Sequence, residues 1–142
     1  MRILADTNVL LDVVTKREPF FDDSVKIFDL CEKKIIVGSI ASISIVNMAY
    51  ILRKDFPLKK LHEIFFDLCD IFYIESVDFK KLIAALANDD FNDFEDCLQL
   101  QCAKSFRADF IVTRNVKDFA ASEIPAVTPE DFLKLLSPPR TA

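Results

Sequence analysis

Apolar residues fall along the chain in two kinds of segment: short unbroken runs, and longer stretches where they recur every three or four positions. The runs at 2–6 (RILAD), 35–38 (IIVG), 71–75 (IFYIE) and 109–113 (DFIVT) are too short and too evenly apolar for amphipathic helices. They predict strands buried on both faces. A minimal run at 126–128 predicts a fifth, short strand. Between the runs, the helical period predicts helices over 9–14, with Thr7 and Asn8 as candidate caps, and over 20–33, where Phe21, Val25, Phe28 and Cys31 recur. Further helices are predicted over 41–54, 58–69, 77–88 (with Leu82, Ile83 and Leu86 on the inner face), 93–107 and 129–136. Pro19 and Pro57 interrupt the helical pattern, and Pro129 suits the first turn of the last helix. Residues 89–92 (DDFN) predict a turn, and 116–120 a short turn or helix. Strands that alternate with helices and are buried on both faces predict a three-layer α/β/α sandwich around a parallel sheet of four to five strands. One domain is expected over 1–136, with a flexible tail at 137–142.

Composition changes this picture in three ways. Half of the 142 residues are apolar, enough for one substantial core. The only glycine is Gly38, which excludes the Gly-rich phosphate loop and the dinucleotide fingerprint. Any phosphate must therefore be handled by side chains or metal ions. The formal net charge of −5 argues against a generally basic nucleic-acid surface but allows an acid cluster neutralised by bound cations, with a local basic rim. Cys31, Cys69, Cys97 and Cys102 form no C-x-x-C pair and read as buried thiols of a reducing compartment. With no signal-like opening and no apolar run near ~20 residues, a cytoplasmic protein without membrane contact is expected.

Candidate chemistry lies at the strand ends, because sites in open α/β sheets form beyond the carboxyl edge. The first strand ends at Asp6, the third at Glu75, and the fourth at Thr113, which is followed by Arg114, Asn115 and Asp118. The helix before the fourth strand opens with Asp93, Glu95 and Asp96. Taken singly, Asp6 could be a helix cap, 89–96 a solvated turn, and Asp118 a surface acid. Together at one edge, such carboxylates repel and call for a hard counter-ion with oxygen ligands, Mg²⁺ or Mn²⁺. With His62 as the sole histidine, zinc is not expected. An aspartyl-phosphate phosphatase needs a second Asp where Asn8 stands. A phosphate-accepting receiver needs Asp where Glu75 and Ser76 stand.

The opening ILADTNVLLD, the stretch FEDCLQLQCAKSFRADFIVTRNVKDF and the closing IPAVTPEDFLKLL resemble the PIN-domain family, in particular a bacterial branch of VapC-like toxin ribonucleases. The likeness runs from Met1 to about Leu136. It implies an α/β/α fold and Mg²⁺- or Mn²⁺-dependent hydrolysis of RNA. Carried over position by position, it implies Asp6 and Asp96 as metal-holding and catalytic acids, joined by Asp93 and Asp118. Asn47 and Asn115 stand where the family usually has acids, and Glu95 is a candidate to restore the missing charge. Thr7, Asn8 and Thr113 are candidate supports, and Arg114, Lys117, Lys104 and Arg107 candidate contacts to the RNA backbone. The resemblance further implies an antitoxin protein as partner and a homodimer. The alternative is a PIN-like domain that binds RNA or protein with a weak or inactive site.

Overall fold

The computed structural model describes residues 1–137; the expected tail, apart from Ser137, lies outside the described residues. Five strands form a single, wholly parallel sheet: β1 (Arg2–Ala5), β2 (Val37–Ala41), β3 (Tyr73–Glu75), β4 (Phe110–Val112) and β5 (Ala126–Val127), in the order β3-β2-β1-β4-β5. The first strand is central, and its register places Ile3 beside Gly38 on one side and Phe110 on the other. Among the described residues six α-helices lie between strands, α1 (Thr7–Val14), α2 (Phe21–Glu32), α3 (Ser42–Leu52), α4 (Leu58–Ile71), α5 (Phe79–Leu86) and α6 (Phe94–Phe106), and α7 (Pro129–Leu136) follows β5. The expected sandwich is present with five strands.

Alternation along β1 divides the core. Ile3 and Ala5 point into the larger cluster, with Val9 and Leu10 of α1, Ile27 and Phe28 of α2, Met48 of α3 and Phe132 of α7. Leu4 points the other way, against Leu100, Ala103 and Phe106 of α6. Lying between the sheet and α5, α6 buries Cys97, Leu98, Gln99, Leu100, Cys102, Ala103 and Phe106, around most of its circumference. At Gly38 a Cβ would lie 2.6 Å from Cys31 Sγ and 2.8 Å from Phe72, so close approach, not backbone conformation, requires glycine there.

Several expectations shift. The second strand begins at Val37, not Ile35, because residues 33–36 are still closing α2: Lys34 takes a left-handed φ of 59°, and the N–H groups of Ile35 and Ile36 return to the Leu30 carbonyl. The strand continues through Ser39, a buried polar residue that hides the apolar pattern. Its hydroxyl donates to the Ile3 carbonyl at 3.0 Å. On α5 Lys81 and Ala85 are buried and Leu82 packs inward as expected, while Ile83 and Leu86 are exposed. Cys69 is exposed, unlike the other three thiols. Among the described residues, no helix is long and apolar enough to cross a membrane.

Candidate active site

Asp6 leaves the carboxyl end of β1 and is itself the N-cap of α1, a role expected of Thr7 or Asn8. Its Oδ1 accepts the Thr7 backbone N–H at 2.8 Å, which satisfies one open donor of the helix. Its Oδ2 accepts the Thr113 hydroxyl at 2.8 Å and, at 3.4 Å, the Asn8 side-chain amide. The same amide reaches Thr113 Oγ1 at 3.2 Å, and Asn8 Oδ1 accepts the Arg114 N–H at 3.2 Å. Asn8 thus staples α1 to the segment after β4. The Thr7 hydroxyl turns away from Asp6 and donates to Ser44 Oγ at 2.8 Å, where Gln99 Nε2 also donates at 2.9 Å. Sequence reasoning missed Ser44 and Gln99. The signal for both was a polar residue on an otherwise apolar helical stripe.

The first turn of α6 supplies the remaining acids. Asp93 caps it, accepting the Asp96 N–H at 3.0 Å, and Glu95 and Asp96 follow. Asp118 enters from a single 3-10 turn, Val116–Phe119, after β4. Burial, and then the neighbouring charges of Asp93, Asp6, Asp118 and Glu95, push the Asp96 carboxyl up to about 7. Burial raises Asp6 as well, with Glu95 and Asp118 adding to it and the bonds from Thr113 and Thr7 opposing it. Five carboxylates therefore face one another across the carboxyl edge. Three of them, Asp93, Asp96 and Asp118, line a polar hollow of about 140 Å³ together with Lys117.

The two asparagines are placed differently. Asn47, on α3, donates its amide to Glu95 Oε1 at 2.6 Å, so a carboxylate from α6 sits directly beside it. Asn115 is exposed. Its backbone N–H donates to Thr113 Oγ1 at 3.0 Å and its carbonyl accepts the Asp118 N–H at 3.0 Å, which anchors the turn that carries Asp118.

Of the four expected basic contacts, only Lys117 lines the hollow. Arg114 folds back onto α1, where it donates to both oxygens of Asp12 at 2.6 and 3.2 Å and lies 4.3 Å above the Phe20 ring. Asp12 is 0% exposed. This pair was legible in principle, because an acid on the buried stripe of α1 demands a counter-charge. Lys104 and Arg107 lie at the far end of α6. Thirteen helical residues span roughly 20 Å, which puts both near the opposite edge of the sheet. There Lys104 pairs with Glu123 at 3.3 Å, and Arg107 takes the left-handed cap position.

Together these features define an open parallel α/β domain with an acid cluster at the carboxyl edge of its central strands. A model of the PIN domain matches residues 2–117, and the chain belongs to that family. No curated protein sequence matches it significantly. Among solved structures, it is similar to a chain of the VapBC2 complex from Rickettsia felis bound to a DNA fragment from its promoter (TM-score 0.70, 18% identity, 90% of this chain and 98% of that one). It is also similar to a chain of a toxin–antitoxin complex from Klebsiella pneumoniae (0.66, 22%, 89% and 97%) and to one of FitAB bound to an IR36 DNA fragment (0.65, 19%, 89% and 94%). At these identities the likeness is one of fold.

Proposed function

We propose that the protein is an endoribonuclease that hydrolyses RNA phosphodiesters with a divalent cation, Mg²⁺ or Mn²⁺. The observation that carries this reading is the gathering of Asp93, Asp96 and Asp118 around one polar hollow at the carboxyl edge, where burial and like charge, including that of Asp6, push the Asp96 carboxyl up to about 7. The donor chemistry fits a hard cation, since Asp93, Asp96 and Asp118 of the hollow and the neighbouring Asp6 and Glu95 all offer carboxylate oxygen. Among the described residues, no group of three or more His, Cys, Asp or Glu side chains is arranged to hold an ion directly. An ion seated by Asp6 and Asp96 would then keep much of its coordination as water, in keeping with Mg²⁺. When bound, it supplies a water of lowered pKa and positive charge against the scissile phosphate.

The chain's own residues set the geometry for this chemistry. Thr113, the Thr7 N–H and Asn8 fix the orientation of Asp6 before any ligand arrives. Asp96 would give up its proton where a cation is held beside it. Asn47 holds Glu95 on the α3 side, so the charge missing from position 47 is delivered from α6. Asp93 and Asp118 flank the hollow and would add negative charge toward the cation, and Lys117 would meet the RNA backbone at its rim.

The Klebsiella pneumoniae structure is a toxin–antitoxin complex by its description, which supports a role as the toxin of such a pair, working in the cytoplasm under a small antitoxin. Exposed Val46, Tyr50 and Ile51 of α3 and Leu58 and Phe66 of α4 offer apolar area for that partner or for a homodimer.

The test is cleavage of single-stranded and structured RNAs by metal-stripped protein with Mg²⁺ or Mn²⁺ restored. Cleavage should need the metal and fall by at least about a hundredfold in Asp6→Asn and in Asp96→Asn. Cleavage indifferent to both substitutions overturns the site. No cleavage of any RNA, together with weak Mn²⁺ binding, turns the assignment to a non-cleaving binding domain.

A further inference from the structure

Beside the acid cluster lies a second hollow that the metal chemistry does not use. It has a volume of about 260 Å³ and is lined by Phe20, Asp23, Arg114, Thr128 and Glu130, with Pro19 and Pro129 at its sides. It lies on the same edge of the sheet as the acids. Arg114 directly follows Thr113, and its N–H is bound to the Asn8 side chain that also reaches Asp6.

We propose that this hollow is a subsite for one unpaired nucleobase of the RNA substrate, favouring guanine. The identity of the substrate rests on the ribonuclease reading, but binding to the hollow does not. Three observations converge on a base. First, the guanidinium of Arg114 is a fixed plane: Asp12 grips two of its nitrogens and Phe20 backs it at 4.3 Å. Unpaired bases stack on such aromatic and guanidinium surfaces. Second, the volume falls just below the roughly 300–1,000 Å³ of drug-sized pockets, room for one ring system and not for a folded strand. Third, the charge is wrong for phosphate. Buried Asp12 already neutralises Arg114, and the other ionisable groups of the lining are the acids Asp23 and Glu130, paired at the surface with Lys26 at 4.0 Å and Lys134 at 3.2 Å, so no uncommitted cation lines the hollow. Carboxylates accept from base N–H groups. Guanine presents adjacent ring and amino donors, whereas uracil presents a single ring N–H between two carbonyls.

Free nucleosides test this without phosphate and without cleavage. Guanosine and uridine are titrated into ¹⁵N-labelled metal-free protein, following the Arg114 Nε–H and the Phe20 backbone amide. Guanosine should give saturable shifts at both, and uridine should bind roughly tenfold more weakly. Phe20→Leu should weaken guanosine roughly tenfold through lost stacking. Asp23→Asn with Glu130→Gln, both near the surface, should bring guanosine down to the level of uridine. The proposal is overturned if no nucleoside shifts these signals, if inorganic phosphate shifts them as strongly as guanosine, or if the double substitution leaves the preference intact. Guanosine binding in a protein that cuts no RNA would separate the failure of the nuclease reading from this one; RNA cleavage without nucleoside binding would do the reverse.

Discussion

Replacing Asp96 with asparagine should make the metal-free protein more stable above neutral pH, although the change removes a candidate catalytic group. Asparagine keeps the volume and removes the charge that Asp93, Asp6, Asp118 and Glu95 oppose. The carboxyl of Asp96 is raised from the ordinary 3.8 to about 7, and each tenfold step in proton affinity is worth about 1.4 kcal/mol. The full rise sets a ceiling near ~4 kcal/mol; solvent access to this half-buried group lowers the expected gain to about 1–2 kcal/mol. The sign follows from linkage. A folded-state pKa raised above the unfolded value leaves stability intact below about 4, where both states are protonated, and removes it as pH rises through about 7. The advantage of Asp96→Asn over the parent should therefore be near zero at acid pH, grow between about 4 and 7, and level off above that. In thermal melts at pH 8 with a chelator it amounts to roughly 3–8 °C. Added Mn²⁺ should shrink or reverse the gap, because the parent gains more from a cation than the variant does. A gap that does not vary with pH, or an asparagine variant less stable at pH 8, would refute the charge-crowding argument.

Three further outcomes are expected. Arg114→Met should cost about 3–5 kcal/mol in urea denaturation by leaving Asp12 charged and buried, whereas Arg114→Met with Asp12→Leu should recover most of it; equal losses would show that the pair is not the cause. Gly38→Ala should destabilise by about 1–3 kcal/mol, because its Cβ would meet Cys31 and Phe72 below 3.0 Å, and a neutral result in the same assay would show that these neighbours move aside. Asn47→Asp would turn a 2.6 Å hydrogen bond to Glu95 into a repulsion, so metal-free melts should fall while Mn²⁺ affinity by calorimetry holds or rises. A drop in both would argue that Asn47 is needed as an amide.

The sheet was readable because the first, third and fourth strands lie in short apolar runs with no helical alternative, and the acid edge because Asp6 and Thr113 close two of those runs. Helices α4 and α7 follow the hydrophobic period closely. The second strand was displaced because Ser39, whose polarity breaks the run, is made tolerable only by a carbonyl on the neighbouring strand. The inner face of α5 was misjudged because Lys81 is buried against Glu75 and the Ser76 carbonyl, partners that no helical period reveals. Arg114 looked like a substrate contact for a related reason. A free cation beside an acid cluster and a cation already committed to a buried Asp12 are identical as letters.

Parallel pairing of β1 with β4 joins Ile3 to Phe110, and this has a consequence for the order of events during synthesis. Asp6 is made 107 residues before Thr113, whose hydroxyl orients it, and its charged neighbours lie at 93–118. Closing so long a loop is among the later steps of folding. While the ribosome is still adding the middle of the chain, the growing polypeptide carries the first acid and none of the others. The centre comes into being only after Asp118 has been made, so a message interrupted before that codon releases a fragment without it.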